Sequence, residues 1–268
     1  MDRAVPLAPL LFLLGCPQPS SGFGSPNDDD ATTPAADDDD ELPPLADETL
    51  LVSFDDEQGL MVVDAATGAG TLAFPTPDGV GGVCSTVFTR DGRLYGSAGR
   101  DLYLIDPCEG TAELIGEYSD GGSICGMAAK ELGGLYGLNR DDDTLVRIDE
   151  ETAELTVIGA LGWDVGAHAL TWDREYERFL AIDGRENRLM RVDPDTGGSN
   201  EIVSLDLQIN QVGAEKDPVT NELYLCTGPD LYAVDVETGE VELRGRIGAD
   251  EQCNDLGATW VEVACLSP

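Results

Sequence analysis

Short apolar runs alternate with polar turns through most of this chain, and the alternation has a long period. An apolar pair ending in Asp recurs as Val63-Asp64, Ile105-Asp106, Ile148-Asp149, Val192-Asp193 and Val234-Asp235. The Asp residues are spaced 42, 43, 44 and 42 positions apart. Four residues after each comes Gly68, Gly110, Ala153, Gly197 or Gly239. An Asp that bonds its own backbone, followed by a residue free to take positive φ, is a hairpin turn. Ala153 departs from the glycine pattern and predicts a strained turn. Before the turns lie LMVVD, LYLID, LVRID, LMRVD and LYAVD, and after them TLAF, AELIG, LTVIG, NEIVS and VELRG. Upstream again are LLVSF, LYGSA, LYGLN, FLAID and LYLCT. These runs are rich in β-formers with period-two alternation.

A fourth run precedes each of the last four repeats: VCSTVFTRDG, CGMAAKELG, HALTWDREYE and VGAEKDPVTN. Four strands per repeat of this length make the blade of a β-propeller. The first repeat lacks its innermost strand, and the C-terminus offers a spare one in Leu256–Val263, whose Thr259-Trp260 matches Thr171-Trp172. The fold class expected is all-β: a five-bladed propeller of four-stranded blades, closed by pairing the C-terminal strand with the N-terminal blade. Closure removes the open edge of a linear array, whereas a solenoid would need caps that the sequence does not display. The apolar strand, LYG, LYxID and DxxTG pattern over residues 49–263 resembles the NHL-like and quinoprotein-like propellers of exported bacterial proteins. The resemblance implies blades and carries no activity with it. The tryptophan docking motifs of quinoprotein repeats do not stand out, so no quinone cofactor is implied.

The N-terminus differs in kind. Residues 1–15 hold Arg3 and a short apolar stretch, VPLAPLLFLLG, too short to span a bilayer and suited to a signal peptide. Its end, Leu13-Leu14-Gly15-Cys16, resembles the lipobox of bacterial lipoproteins, which implies lipidation at Cys16 and a membrane anchor. Residues 16–48 are rich in Pro, Ser, Gly and Asp and too poor in apolar side chains to offset the entropy of ordering. This reads as a charged tether, leaving 49–268 as the folded domain. The expected address is the cell envelope, periplasmic or at the cell surface.

Charge narrows the partners. The chain carries 53 acidic and 15 basic residues, formally −38. That disfavours nucleic acid and anionic membrane surfaces, and leaves cations, basic proteins and glycans. It also permits a passive acidic surface protein.

Six cysteines follow Cys16, an even number in an exported chain. The blade arrangement suggests Cys84–Cys125, Cys226–Cys253 and Cys108–Cys265. The first pair asks equivalent positions of neighbouring blades to approach within the roughly 7 Å Cα separation a disulfide tolerates.

Propeller ligands gather at one channel mouth, at the starts of the inner strands. Here that rim offers Asp120, Ser123, Trp163, Asp164, His168, Asn210, Gln211, Asn254 and Asp255. Of these, Asp164, His168, Gln211, Asn254 and Asp255 are the candidate ligand-binding set. No motif demands a cofactor, but Asp164, Asn254 and Asp255 form an oxygen set able to hold Ca²⁺. That set partly matches gluconolactonase-like propellers, a resemblance that implies a metal-dependent hydrolase as an alternative to a non-catalytic binding or scaffold module. Glu215 and Asp255 are candidate paired channel carboxylates. Asp141-Asp142-Asp143 reads as a charged hairpin tip. No nucleophile elbow, HExxH or P-loop is present.

Overall fold

The computed structural model describes residues 42–55, 58–248, 253 and 255–266. They form five four-stranded antiparallel sheets. The first blade holds β1 (Leu51–Asp55), β2 (Gly59–Val63) and β3 (Gly70–Phe74), and the second β4 (Ser85–Phe88), β5 (Leu94–Ala98), β6 (Asp101–Asp106) and β7 (Thr111–Glu117). The third holds β8 (Ile124–Ala129), β9 (Leu135–Asn139), β10 (Thr144–Ile148) and β11 (Leu155–Ala160). The fourth is β12 (His168–Asp173), β13 (Arg178–Asp183), β14 (Arg188–Val192) and β15 (Ser199–Ser204). The fifth is β16 (Gly213–Lys216), β17 (Leu223–Thr227), β18 (Asp230–Val234) and β19 (Val241–Arg246). The last strand, β20 (Gly257–Ala258), pairs with β1 through Leu51 opposite Ala258 and Val52 opposite Gly257. Chain closure is therefore the mixed blade β20-β1-β2-β3.

The inner strands touch in a closed ring, β4 to β8 to β12 to β16 to β20 and back to β4. Every residue of β4, β12 and β16 is buried, because neighbouring blades cover both faces. The apolar core consequently lies between blades. Leu51, Met61 and Val63 meet Tyr224, Leu231 and Ala233 across the closing seam. Tyr95 and Leu102 meet Leu135 and Val146 between the second and third blades.

The hairpin motif works as the sequence suggests. The Asp64 carboxylate accepts from the Ala66 amide at 3.0 Å, the Thr67 amide at 2.8 Å and the Thr67 hydroxyl at 2.9 Å. Asp149 and Asp193 repeat this set. The residue four on has positive φ in all five turns, including Ala153 at 59°. These turns also lock blades together. The Thr196-Gly197 turn of the fourth blade lies on Gly159 of the third, where a Cβ at 159 would sit 2.0 Å from the Thr196 carbonyl oxygen. The Thr67-Gly68 turn of the first blade lies on Gly245 of the fifth in the same way. In every blade the ladder between the third and fourth strands shifts register once. Such bulges twist an edge strand away from edge-to-edge pairing.

The six cysteines pair as Cys84–Cys125, Cys108–Cys265 and Cys226–Cys253, with Cα separations of 5.0, 5.3 and 5.7 Å. Cys84 and Cys125 come close because they lie where the inner strands converge. Three disulfides mark an oxidising, extracytoplasmic setting. Among the described residues, no helix is long and apolar enough to cross a membrane. Cys16 and the rest of residues 1–41 lie outside the described residues.

Residues 42–48, expected in the tether, instead lie on the body. Ala46 donates its amide to the Trp260 carbonyl at 2.9 Å, and the Arg90 guanidinium donates to the Pro43 carbonyl. Leu45 packs on the apolar cluster that holds Trp172 and Trp260. One packed leucine and two backbone-directed hydrogen bonds seat on the body a segment whose composition alone reads as unstructured.

Candidate functional site

All five inner strands run the same way along the channel, so their starts define one end and their exits the other. The two ends differ. At the exit end, Arg90 and Trp260 hold residues 43–46, and the Thr49 hydroxyl donates to Asp217 at 2.8 Å. Asp173 is buried there between Arg178 at 2.9 Å and Lys216 at 3.6 Å. The segment that leads into β1 lies at this end, where residues 43–48 with Val261 and Glu262 line a cavity of about 650 Å³.

The starting end opens into a cavity of about 580 Å³. Its walls are the Cys84–Cys125 disulfide and the loops before β12 and β16. Buried His168, Gly184, Ile209 and Val212 make its floor, and exposed Arg140, Arg185, Asn210 and Gln211 its rim. This volume falls in the range of small-molecule sites.

His168 opens β12 and is 5% exposed. Its Nδ1 lies 2.6 Å from the Gly166 carbonyl, which can only accept, so Nδ1 carries the proton. Nε2 is then an acceptor, and it is buried without a hydrogen-bond partner among the described residues. Burial pushes the imidazole down to about 4, with the nearby Arg140 charge acting in the same direction against the lift from the Gly166 bond. The ring is neutral at physiological pH.

The two arginines differ. Arg185 pairs with Asp164 at 3.2 Å, an exposed contact of little energetic weight. Arg140 has no ion-pair partner among the described residues, and its backbone amide donates to the Ser123 carbonyl at 3.0 Å. The strand-start rule used for the rim names neither arginine. A signal for them exists all the same: Arg100, Arg140 and Arg185 each follow a second strand, in SAGRD, LNRDD and DGREN, on successive blades.

The structure brings His168 and Gln211 together on this cavity and sends other candidates elsewhere. Asp164 reaches it only through Arg185. Asp255 corrects the expectation: it is 2% exposed and accepts from the Phe54 amide at 3.0 Å, the Thr86 hydroxyl at 2.5 Å and the Ser53 hydroxyl at 3.3 Å. It fastens the closing blade to its neighbour, and its lone pairs are engaged. Asp255 therefore does not share a cation site with Asp164, which is 79% exposed and bound to a guanidinium. Asn254 and the side chain of Asp120 lie outside the described residues. Among the described residues, no three His, Cys, Asp or Glu side chains gather as a metal site. Glu215 is fully enclosed, its Oε2 has no partner, and burial pushes its carboxyl well above the usual range against the Thr171 bond. With Glu215 enclosed and Asp255 held by Phe54, Thr86 and Ser53, neither carboxylate is presented to the channel mouth as a free acid or base. Asp141–Asp143 prove structural: Asp141 lies 3.7 Å from Arg100, Asp142 accepts from Asn139, and Asp143 holds the Val165 amide at 2.7 Å.

No family model matches the chain, and no curated protein matches it. Solved structures do share its fold. A protein of unknown function from Bacteroides thetaiotaomicron VPI-5482 aligns over 81% of this chain with a TM-score of 0.52 and 16% identity. The chain spans 63% of that protein's length. A chain of the nidogen/laminin complex aligns over 79% of this chain and 98% of its own, with a TM-score of 0.57 and 12% identity. An auxiliary nutrient binding protein from Bacteroides ovatus ATCC 8483 aligns over 81% of this chain and 68% of its own, with a TM-score of 0.51 and 14% identity. At these identities the likeness establishes a β-propeller.

Proposed function

We propose that this is an exported, lipid-anchored β-propeller that acts as a non-catalytic binding module, taking its ligand or partner at the open channel mouth. The observation that carries the reading is the make-up of the mouth at the strand starts. Its cavity of about 580 Å³ presents two guanidiniums, of which Arg140 has no ion-pair partner among the described residues, beside the two exposed amides of Asn210 and Gln211, and none of its lining residues is acidic. Polar groups left unsatisfied at a concave site are where a ligand gains most. The anchor reading rests on the lipobox-like LLGC ending at Cys16.

The test uses the full chain expressed in a bacterium. Lipid labelling should be lost in Cys16→Ser, with the protein moving to the soluble fraction. A photo-cross-linking residue in place of Gln211 should give a discrete adduct on intact cells, and one in place of Glu262 should not. Adducts of equal yield from both positions would defeat the mouth reading, and retained membrane association in Cys16→Ser would defeat the anchor.

A further inference from the structure

We propose that the Cys108–Cys265 bridge is a thiol–disulfide exchange site, opened by a dithiol while the other two bridges stay closed, and that its opening frees the C-terminal tail from the ring.

Exposure separates the three bridges. Cys108 and Cys265 are both exposed, Cys84 and Cys125 are half-buried, and Cys226 and Cys253 are 0% and 8% exposed. Exchange requires a thiolate to reach a sulfur, so access decides which bridge reacts.

Backbone support separates them again. Cys84 donates its amide to the Ser97 carbonyl at 2.8 Å beside β4, and Cys125 lies within β8. Cys226 lies within β17, and the Cys253 amide donates to the Gly228 carbonyl at 2.7 Å. Cys265 lies beyond β20, in a turn where the Leu266 amide bonds the Val263 carbonyl at 2.9 Å, within the tail itself. The bridge is this tail's covalent hold on the second blade. Beside it lies a cavity of about 620 Å³, with Leu104, Ile105, Cys108 and Ala112 of the second blade on one wall and Val261 and Val263 of the tail on the other. Opening the bridge leaves that second wall free to move.

One thiolate of the dithiol attacks either sulfur, forms a mixed disulfide and expels the other cysteine as a thiolate. The second thiol then displaces the cysteine still bound. The dithiol is oxidised to its own disulfide, the bridge is reduced by the same electron pair, and the two thiol protons end on Cys108 and Cys265. Charge selects the reagent. The Asp106 carboxylate accepts from the Cys108 and Glu109 amides at 2.8 and 2.9 Å, and Asp106, Glu113 and Glu262 line the cavity with Cys108. Arg93 on the same cavity is already paired with Asp91 and Glu150. These carboxylates repel an anionic thiol, so the fitting class is an uncharged or cationic dithiol.

The test treats the folded full chain with dithiothreitol for graded times and quenches with N-ethylmaleimide. The chain is then unfolded, fully reduced and labelled with the deuterated reagent, and each cysteine is read by peptide mass spectrometry. Cys108 and Cys265 should open together at least ~10-fold faster than Cys84 and Cys125, with Cys226 and Cys253 last. At that stage amide exchange should rise in β20 while the third and fourth blades keep their protection. Anionic mercaptoethanesulfonate should attack the bridge more slowly than uncharged mercaptoethanol, and added salt should narrow the difference. One common rate for all three bridges, in step with loss of near-ultraviolet circular dichroism, would overturn the inference, because reduction would then follow global unfolding. Earlier opening of Cys84–Cys125 would overturn it as well. Selective opening with exchange at β20 unchanged would defeat the release of the tail, and equal rates for the two monothiols would defeat the selection by charge.

Discussion

The carboxylate of Asp255 accepts a hydrogen bond from the Thr86 hydroxyl at 2.5 Å, joining the segment just before β20 to the inner strand of the second blade. The same carboxylate takes the Phe54 amide and the Ser53 hydroxyl of β1. One buried side chain therefore ties three segments at the seam where the ring closes. Asp255→Ala orphans these donors in a buried site and should cost about 3 kcal/mol. Asp255→Asn keeps one acceptor oxygen and should cost about half as much. Urea unfolding monitored by tryptophan fluorescence measures both. If the two variants unfold at the wild-type midpoint, the seam is held elsewhere.

Close backbone approach gives a second prediction. A Cβ at Gly213 would lie 2.3 Å from the Asp255 carbonyl carbon, and one at Gly159 would lie 2.0 Å from the Thr196 carbonyl oxygen. Both clashes are with backbone, which cannot rotate away. Gly213→Ala and Gly159→Ala should each lose at least ~2 kcal/mol by forcing apart neighbouring blades. Gly81 has nothing within 4 Å of its would-be Cβ and no positive φ, so Gly81→Ala is the matched control and should be neutral. Equal behaviour of all three would contradict the interlocked packing.

The fold is legible because each blade repeats its own local instructions. DxxTG turns and alternating strands are short-range signals, and five copies reinforce one another. Closure can be counted from the missing inner strand, and the cysteine pairing follows from blade geometry. The site is less legible. Strand position alone puts His168 and Gln211 at the starting end of the channel, where both line the cavity. Asp255 sits in the loop leading to the last inner strand, yet its side chain turns into the seam, and that orientation depends on Phe54 and Thr86, distant in sequence. Arg140 and Arg185 escape the strand-start rule because they follow second strands and do not open inner ones. Only their recurrence after the second strand of successive blades distinguishes them. Residues 42–48 defeat a reading by composition, which does not reveal that Leu45 packs on the apolar cluster that includes Trp260.

Two buried titratable groups make opposite demands on pH. His168 is neutral in the folded state down to about 4, whereas in the unfolded chain it protonates near pH 6.5. Between these values the unfolded chain binds the extra proton, so this group's contribution rises with pH, is complete above about 6.5, and falls by roughly 3 kcal/mol on acidification to pH 4. Burial holds the folded Glu215 carboxyl well above the value of about 4.5 at which it ionises in the unfolded chain. There the folded chain holds the extra proton, so its contribution declines as pH rises toward the folded pKa. The expected wild-type profile is shallow between pH 4.5 and 6.5, where the two slopes oppose, and downward above that. Glu215→Gln should gain stability over the wild type as pH rises above about 4.5, and His168→Gln should show its advantage only at the acid end. Parallel variant and wild-type profiles in urea titrations at several pH values would mean that neither group is buried in the state assigned here.

The C-terminal tail carries the seam. The closing strand β20 is only two residues long, and it meets β1 at Leu51 and Val52. So short a ladder is weak by itself, and the residues after it must be held in place for closure to persist. Cys265 is bonded to Cys108, in the turn between β6 and β7 of the second blade, across 157 residues of sequence. Leu266 beside it is buried in the apolar cluster shared by several blades. A bridge closing so long a loop removes much of the unfolded chain's freedom, so its loss should cost about 2–5 kcal/mol. The double variant Cys108→Ser/Cys265→Ser should melt at a markedly lower temperature. Its amide exchange should rise first in β20, β1 and residues 43–49, before the third and fourth blades respond. The Cys84–Cys125 bridge closes a loop of 41 residues between adjacent blades that already share an apolar interface. Its removal should lower the midpoint less and leave exchange at the seam unchanged. If the two double variants lose the same stability and exchange uniformly, the seam is not where the ring opens.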